Sequence, residues 1–474
     1  MSVENLQEQP EMQHRETTPF ETNTFTITHL SDSPEGFNVT TFYSGPKLEP
    51  GTKAPLTPQQ KDALRTDMQG EMNFTGGNAA AEALNAYREA VDAGQSKEET
   101  ETLRQAYLEK RNTYVTRSAP KARVDGMTQI GNTLRIDHLA STVFPVFKRF
   151  SKPGADPELL RFSNVSATAM ALVTEDGRLI VQHRNPNNEL YGDMVGASVA
   201  GYNDGKKHKL FDISDTDWGS DERKYKDFKN KQKAGTIQPV TTQSLKDNVL
   251  KEAGEEVGLE PEDFESATLS GVAEDHMQPH IEYMFLGKTK LTAEQMKAKA
   301  RNAARNRRLS EEEFNEKFVD IPATPDAIKT LLTEVKNPLP PTHTAVFVSA
   351  GYAMVLKDQG LEAAKAWKRE MQAGVTQNYQ DIDRIVREHY ESNPGSVDTV
   401  PQRMLNTIYN RQIPNFLKQR PEATEDEIKA QADALIAKLP KRNPNGYNPA
   451  FTPEEQGLPG FDQALSEAGL LPAA

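Results

Sequence analysis

Apolar positions recur along this chain at two periods, and the changes of period mark its parts. Over 243–259, QSLKDNVLKEAGEEVGL, the residues Leu245, Val249, Leu250 and Ala253 share one side of a 3.6-residue repeat. Gly258 stands where such a helix is expected to stop. Upstream, TAMALVT (168–174) and RLIVQH (178–183) flank Asp176-Gly177, which predicts a hairpin with a tight turn. Downstream, 267–273 and 280–286 read as paired strands around Met-Gln-Pro. A helix is expected from 293 to about 308, and another over 326–335, before the break at Pro338–Pro341. Strands, helix, strands and helix in this order predict an α/β fold, a mixed sheet between helices, over about 126–358.

The flanks have a different texture. Residues 1–56 are polar and carry six prolines between Pro10 and Pro55. FTIT (25–28) and FNVTTF (37–42) have strand character, but the composition predicts a disordered arm. Residues 57–125 read as helical: an alanine-rich stretch ends at Gly94, and Ser96 with Glu99 forms a capping box for the next helix. Over 359–440 helices are expected at 361–373, 378–391, 401–417 and 424–439, the last opened by a capping box at Thr424 and Glu427. Residues 441–474, rich in Pro, Gly and Asn, read as a loose tail.

Composition narrows the classes. The chain of 474 residues carries a net charge of −13, which argues against general attraction to nucleic acid or anionic membranes. It has no cysteine, so disulfides, thiolate metal sites and cysteine nucleophiles are excluded. Mean hydropathy is −0.71, low for one compact globule. No apolar run approaches a membrane span. The N-terminus lacks a basic start and an apolar core, so no secretory signal is expected and the cytoplasm is the expected compartment.

The chemistry concentrates in the first helix described. Glu252, Glu255 and Glu256 stand at i, i+3 and i+4 and so share a helix face. Like charges at these spacings repel by roughly 0.2–0.5 kcal/mol per pair. A hard divalent cation, which takes oxygen ligands, turns that repulsion into binding; a solvated acidic face is the plain alternative. A second polar group, Glu274, Asp275, His276, His280 and Glu282, offers a base or a zinc site, but its spacing matches no strong metal signature and a solvated turn is the expected outcome. The basic run Lys297, Lys299, Arg301, Arg305, Arg307 and Arg308 offers contacts for phosphate or RNA, but a solvated helix face is the commoner outcome.

The run Lys251-Glu252-Ala253-Gly254-Glu255-Glu256-Val257-Gly258-Leu259 resembles the end of the box of the Nudix hydrolases, Arg-Glu-apolar-x-Glu-Glu-x-Gly-apolar. Lys251 stands for the family arginine, keeping the charge without the bidentate fork. Gln243 stands for the upstream glutamate. The opening glycine is matched by Gly201 in SVAGYNDG, so an insertion at about 206–240 interrupts the box. A segment of this length inside a domain is usually a lid or disordered. The resemblance implies an α/β/α sandwich and hydrolysis of a diphosphate bond in a nucleoside diphosphate linked to another group. It implies Mg2+ or Mn2+ held by Glu252, Glu255 and Glu256, with Glu255 or Glu256 also acting on the water, and carbonyl oxygen near Ala200 and Gly201 assisting. It also implies a small-molecule nucleotide substrate, with Arg184 after the hairpin as a phosphate contact. A core kept only for binding, non-catalytic and flanked by docking helices, is the rival expectation, favoured by Gln243, Lys251 and the insertion.

Overall fold

The computed structural model describes residues 19–42, 77–117, 124–138, 165–184, 194–203, 241–276, 280–305, 318–394, 408, 412–439 and 451–471. The expected insertion at 206–240 lies outside them, as do Arg307 and Arg308. The elements in chain order begin with β1 (Phe20–Glu21), β2 (Phe25–Leu30), β3 (Asn38–Phe42), α1 (Gly77–Asp92) and α2 (Lys97–Arg117). The strands β4 (Val124–Ile130), β5 (Thr133–His138), β6 (Val165–Val173), β7 (Arg178–His183), β8 (Val195–Gly196) and β9 (Val199–Tyr202) follow. Next come α3 (Thr242–Val257), β10 (Phe264–Asp275), β11 (His280–Thr289), α4 (Ala293–Arg305), β12 (Phe318–Pro322), α5 (Pro325–Thr333), α6 (Pro341–Gln359) and α7 (Leu361–Ser392). The chain closes with α8 (Ile413–Gln419), α9 (Glu425–Ala437) and α10 (Phe461–Glu467).

The architecture is mixed α/β. The main sheet runs β1-β2-β10-β11-β6-β7-β12 among the described residues, with β11 and β6 parallel and the remaining pairs antiparallel. Midway the sheet forks. The first half of β6 pairs with β9, its last residues pair with β7, and β7 pairs in turn with β8. Alternation along each strand divides the sheet into two buried faces. One face carries Met170, Leu172, Ile180, Tyr283 and Phe285, and packs against Leu245, Val249, Ala253 and Val257 of α3. The other carries Ala169, Ala171, Leu179, Val181 and Met284, and packs against α5, α6 and α7. A small sheet, β3-β5-β4, lies beside α3 and joins the first of these cores through Val39, Leu134 and Ile136.

Four expectations change. The arm expected to be disordered supplies β1 and β2 at the edge of the main sheet, with Phe20 and Phe25 stacked and fully buried. Pairing with β10, far away in sequence, satisfies a backbone whose local composition is unpromising. The tail expected to be loose contains α10, and Phe451, Phe461 and Leu465 are buried. The core therefore draws on segments outside 126–358. Finally, 361–392 is one helix of 32 residues rather than two, and α6 arises where only a break was expected. Residues Pro341 to Tyr352 of α6 are buried on every side, so no polar stripe reveals the helix.

Candidate functional site

Helix α3 is specified at both ends. Thr241 and Ser244 form a reciprocal capping box, and Gly258 takes the left-handed conformation at φ 68 that ends the helix. Asn248, buried on the sheet side, donates through Nδ2 to Thr168 Oγ1 of β6 at 3.0 Å. With the apolar side fixed on the sheet, the glutamates emerge at its margin.

They do not all face the same way. Glu256 Oε2 accepts the backbone N–H of Ala200 in β9 at 2.9 Å. Glu252 lies against Gly201: a Cβ at that position would stand 2.3 Å from its Oε2, so any larger residue would displace the carboxylate. Glu255 turns to the open side, about half-exposed, where Lys251 Nζ bridges it at 2.5 Å and Glu252 at 3.1 Å. Burial lowers the affinity of Lys251 for its proton, but the carboxylates of Glu252 and Glu255 outweigh this and hold its pKa above the usual lysine range. Glu255 and Lys251 border a cleft of about 760 Å³ between α3 and α4, which Asp247, Lys299 and Asn302 also line. Gln243 points away, donating to Asp247 at the exposed surface at 2.6 Å.

As donors, two carboxylates beside the β9 backbone fit a hard oxygen-seeking cation. The cluster is not a closed ligand set: among the described residues no three acidic or histidine groups converge as a metal cage, and Lys251 occupies the space between Glu252 and Glu255.

The second polar group is not a solvated turn. Glu274 and His276 are exposed, but Asp275, His280 and Glu282 are buried, on the sheet face that meets α6. His280 Nε2 lies 3.2 Å from Glu282 Oε2, and Tyr202 packs edge-on to His280. Burial acts to raise the Glu282 pKa, but the hydrogen bond and charge of His280, with His343 nearby, hold it below the ordinary carboxylate range. His343, in the first turn of α6, was missed from sequence. It lies 61 positions beyond Glu282, and nothing local marks it. Burial, with the Arg184 charge, pushes its pKa down to about 3. Its Nδ1 accepts the N–H of Ala197 at 3.0 Å.

Arg184 is joined to none of the three glutamates by a hydrogen bond or ion pair among the described residues; its backbone N–H bonds to Met194 and its charge acts on His343. In the basic run, Lys297 pairs with Asp320 and Lys299 with Asp263, while Arg301 is exposed and Arg307 and Arg308 lie outside the described residues. No helix among the described residues is long and apolar enough to cross a membrane. No protein-family model matches the chain, and no curated protein matches it.

Proposed function

We propose that this chain is a Nudix-type hydrolase that cleaves a diphosphate bond in a nucleoside diphosphate linked to another group. One observation carries the reading. The strand that supplies the family's opening glycine, Gly201, lies directly against Glu252, and its neighbour Ala200 binds Glu256, although about forty residues separate the two halves of the motif. A surface acidic helix has no need of that apposition. The mixed sheet with α3 on one face and α5, α6 and α7 on the other also suits the sandwich that the resemblance implies.

Glu252 and Glu256, oriented toward β9, would hold the cation, and Glu255 would serve as the third ligand. When bound, Mg2+ or Mn2+ supplies positive charge against the diphosphate and the acidity that activates water. Glu255, about half-exposed beside the cleft, would orient that water and take its proton. Lys251 keeps the carboxylates apart and limits their mutual repulsion. A small nucleotide is favoured over RNA, because Lys297 and Lys299 are already committed to aspartates.

The test is metal-dependent turnover across nucleotide sugars, ADP-ribose, dinucleoside polyphosphates, capped RNA and nucleoside triphosphates. Turnover that needs Mg2+ or Mn2+ and disappears in Glu256→Gln supports the reading. Silence across the panel moves the assignment to a non-catalytic binding module, for which the outward Gln243 and the Lys251 bridge are the observations in favour.

A further inference from the structure

Gly201 lets the Glu252 carboxylate lie directly on the β9 backbone, and a Cβ there would push the side chain aside, so this contact depends on the position of β9 along the sheet. A slip of one position would bring Ala200 or Tyr202 against the carboxylate and turn every side chain of the strand over. The ladder alone is a weak device for this. Strand β9 pairs with β6 over four residues, and β8 pairs with β7 over two. Between them, at Ala197 and Ser198, the chain leaves both ladders where the sheet forks.

Two side chains satisfy the backbone at the fork. Ser198 Oγ accepts the N–H of Leu172 in β6 at 2.9 Å and donates to the carbonyl of Ile180 in β7 at 2.6 Å, so it bridges the two diverging strands. His343 accepts the N–H of Ala197, and its ring lies flush on Gly196, where a Cβ would stand 2.0 Å from Nδ1. The far end is held by Asn203, whose N–H and Nδ2 both bond to Ser166. Buried N–H groups are satisfied almost without exception, so removing either partner pulls the segment toward a different arrangement.

We propose that His343, reaching the fork from α6 on the opposite face of the sheet, is a positioning residue that sets the register of 196–201 and thereby holds Ala200 and Gly201 against Glu256 and Glu252. Ser198 is its partner in this role. The inference rests on the proposed cation site for its functional consequence, but the mechanical link stands on the hydrogen bonds alone.

Two measurements separate these. The first is hydrogen exchange at the Ala200 amide, which needs no metal. The second is Mn2+ binding by the full chain, followed by electron paramagnetic resonance. His343→Ala and Ser198→Ala should each reduce Ala200 protection and weaken Mn2+ binding by about ten-fold or more, the usual size for loss of an outer-shell partner. His343→Asn, which restores an acceptor near the Nδ1 position, should recover most of both. Val348→Ala, a core truncation in the same helix, should lower stability and leave Ala200 protection and Mn2+ affinity unchanged. If His343→Ala does not fold, Ser198→Ala and His343→Asn carry the test. Wild-type protection at Ala200 in both His343→Ala and Ser198→Ala overturns the link. A broken link in a protein that never bound Mn2+ would instead sink the proposed function and leave the link standing.

Discussion

Replacing Glu256 with glutamine separates a cation site from a decorated helix, and the structure sets the size of the effect. Two terms oppose each other in the metal-free protein. Relieving the repulsion between Glu252 and Glu256, at i and i+4, gains roughly 0.2–0.5 kcal/mol. The glutamine oxygen can still accept the Ala200 N–H, but the bond loses its charge, at a cost of about 1 kcal/mol. The net change is a loss of about 0.5 kcal/mol, a degree or two in melting temperature. With Mg2+ the two proteins should part. At a hundred times its Kd a ligand stabilises the folded state by about 2.7 kcal/mol, or roughly 5–10 °C for a domain of this class. If the variant binds a hundred-fold more weakly, the same concentration gives only about 0.4 kcal/mol. Melting curves of both proteins in chelator and in millimolar Mg2+ provide the four numbers needed. Equal shifts, or no shift in wild type, would refute the reasoning, because a solvated glutamate has no preference between these conditions.

The other predictions concern neighbouring features. Gly201→Ala should push the Glu252 carboxylate off β9 and weaken Mn2+ binding more than it lowers stability, read by titration and thermal melting. Gly254→Ala sits between the glutamates in the same helix, with nothing closer than 3.4 Å to the new Cβ, and should stabilise by about 0.5–1 kcal/mol without loss of metal. Acid should destabilise the fold in a defined window. The His343 pKa falls from 6.5 unfolded to about 3 folded, so the unfolded chain holds more protons between those values and stability rises with pH across them, by up to about 5 kcal/mol. The depressed Glu282 adds a further loss below about 4.5, and denaturant titrations from pH 3 to 8 should show a plateau above 6.5. Phe25→Ala, in the segment whose composition suggested disorder, should cost about 3–5 kcal/mol in chemical denaturation; a change under about 1 kcal/mol would mean that β2 contributes nothing to the core.

What could be read from sequence follows from what is local. Helix α3 announces itself because one side is apolar at a helical period and a glycine ends it. The strand pairs β6–β7 and β10–β11 are legible because short turns join them. Helix α6 is illegible for the opposite reason: with Thr342 to Tyr352 buried throughout, it has no polar face to set a period. The strands of the N-terminal segment carry the right residues, FTIT and FNVTTF, but their partners lie in β10 and β5, which propensity cannot see. Charge misleads in the same way. Asp275, His280 and Glu282 look like a wet turn until α6 covers them. Within the candidate site, the i, i+3, i+4 spacing was legible, but the split that sends Glu252 and Glu256 toward β9 and Glu255 toward the cleft depends on where the sheet lies.

The long interruption of the motif looks like an argument against a working site, and the anchoring of its two ends answers it. The thirty-seven residues 204–240 leave the described chain at Asn203 and return at Thr241. Asn203 is buried and doubly bonded to Ser166 in β6. On the returning side, Thr241 caps α3, and Thr242 Oγ1 accepts the N–H of Val39 in β3 at 2.8 Å. Each end is thus tied to the fold independently of the chain between them. The geometry at Glu252 and Glu256 is set by β9 on one side and by the seat of α3 on the other. An insertion at this point can therefore vary in length without moving the carboxylates, provided that Gly201, Ser198 and His343 keep the strand where it is.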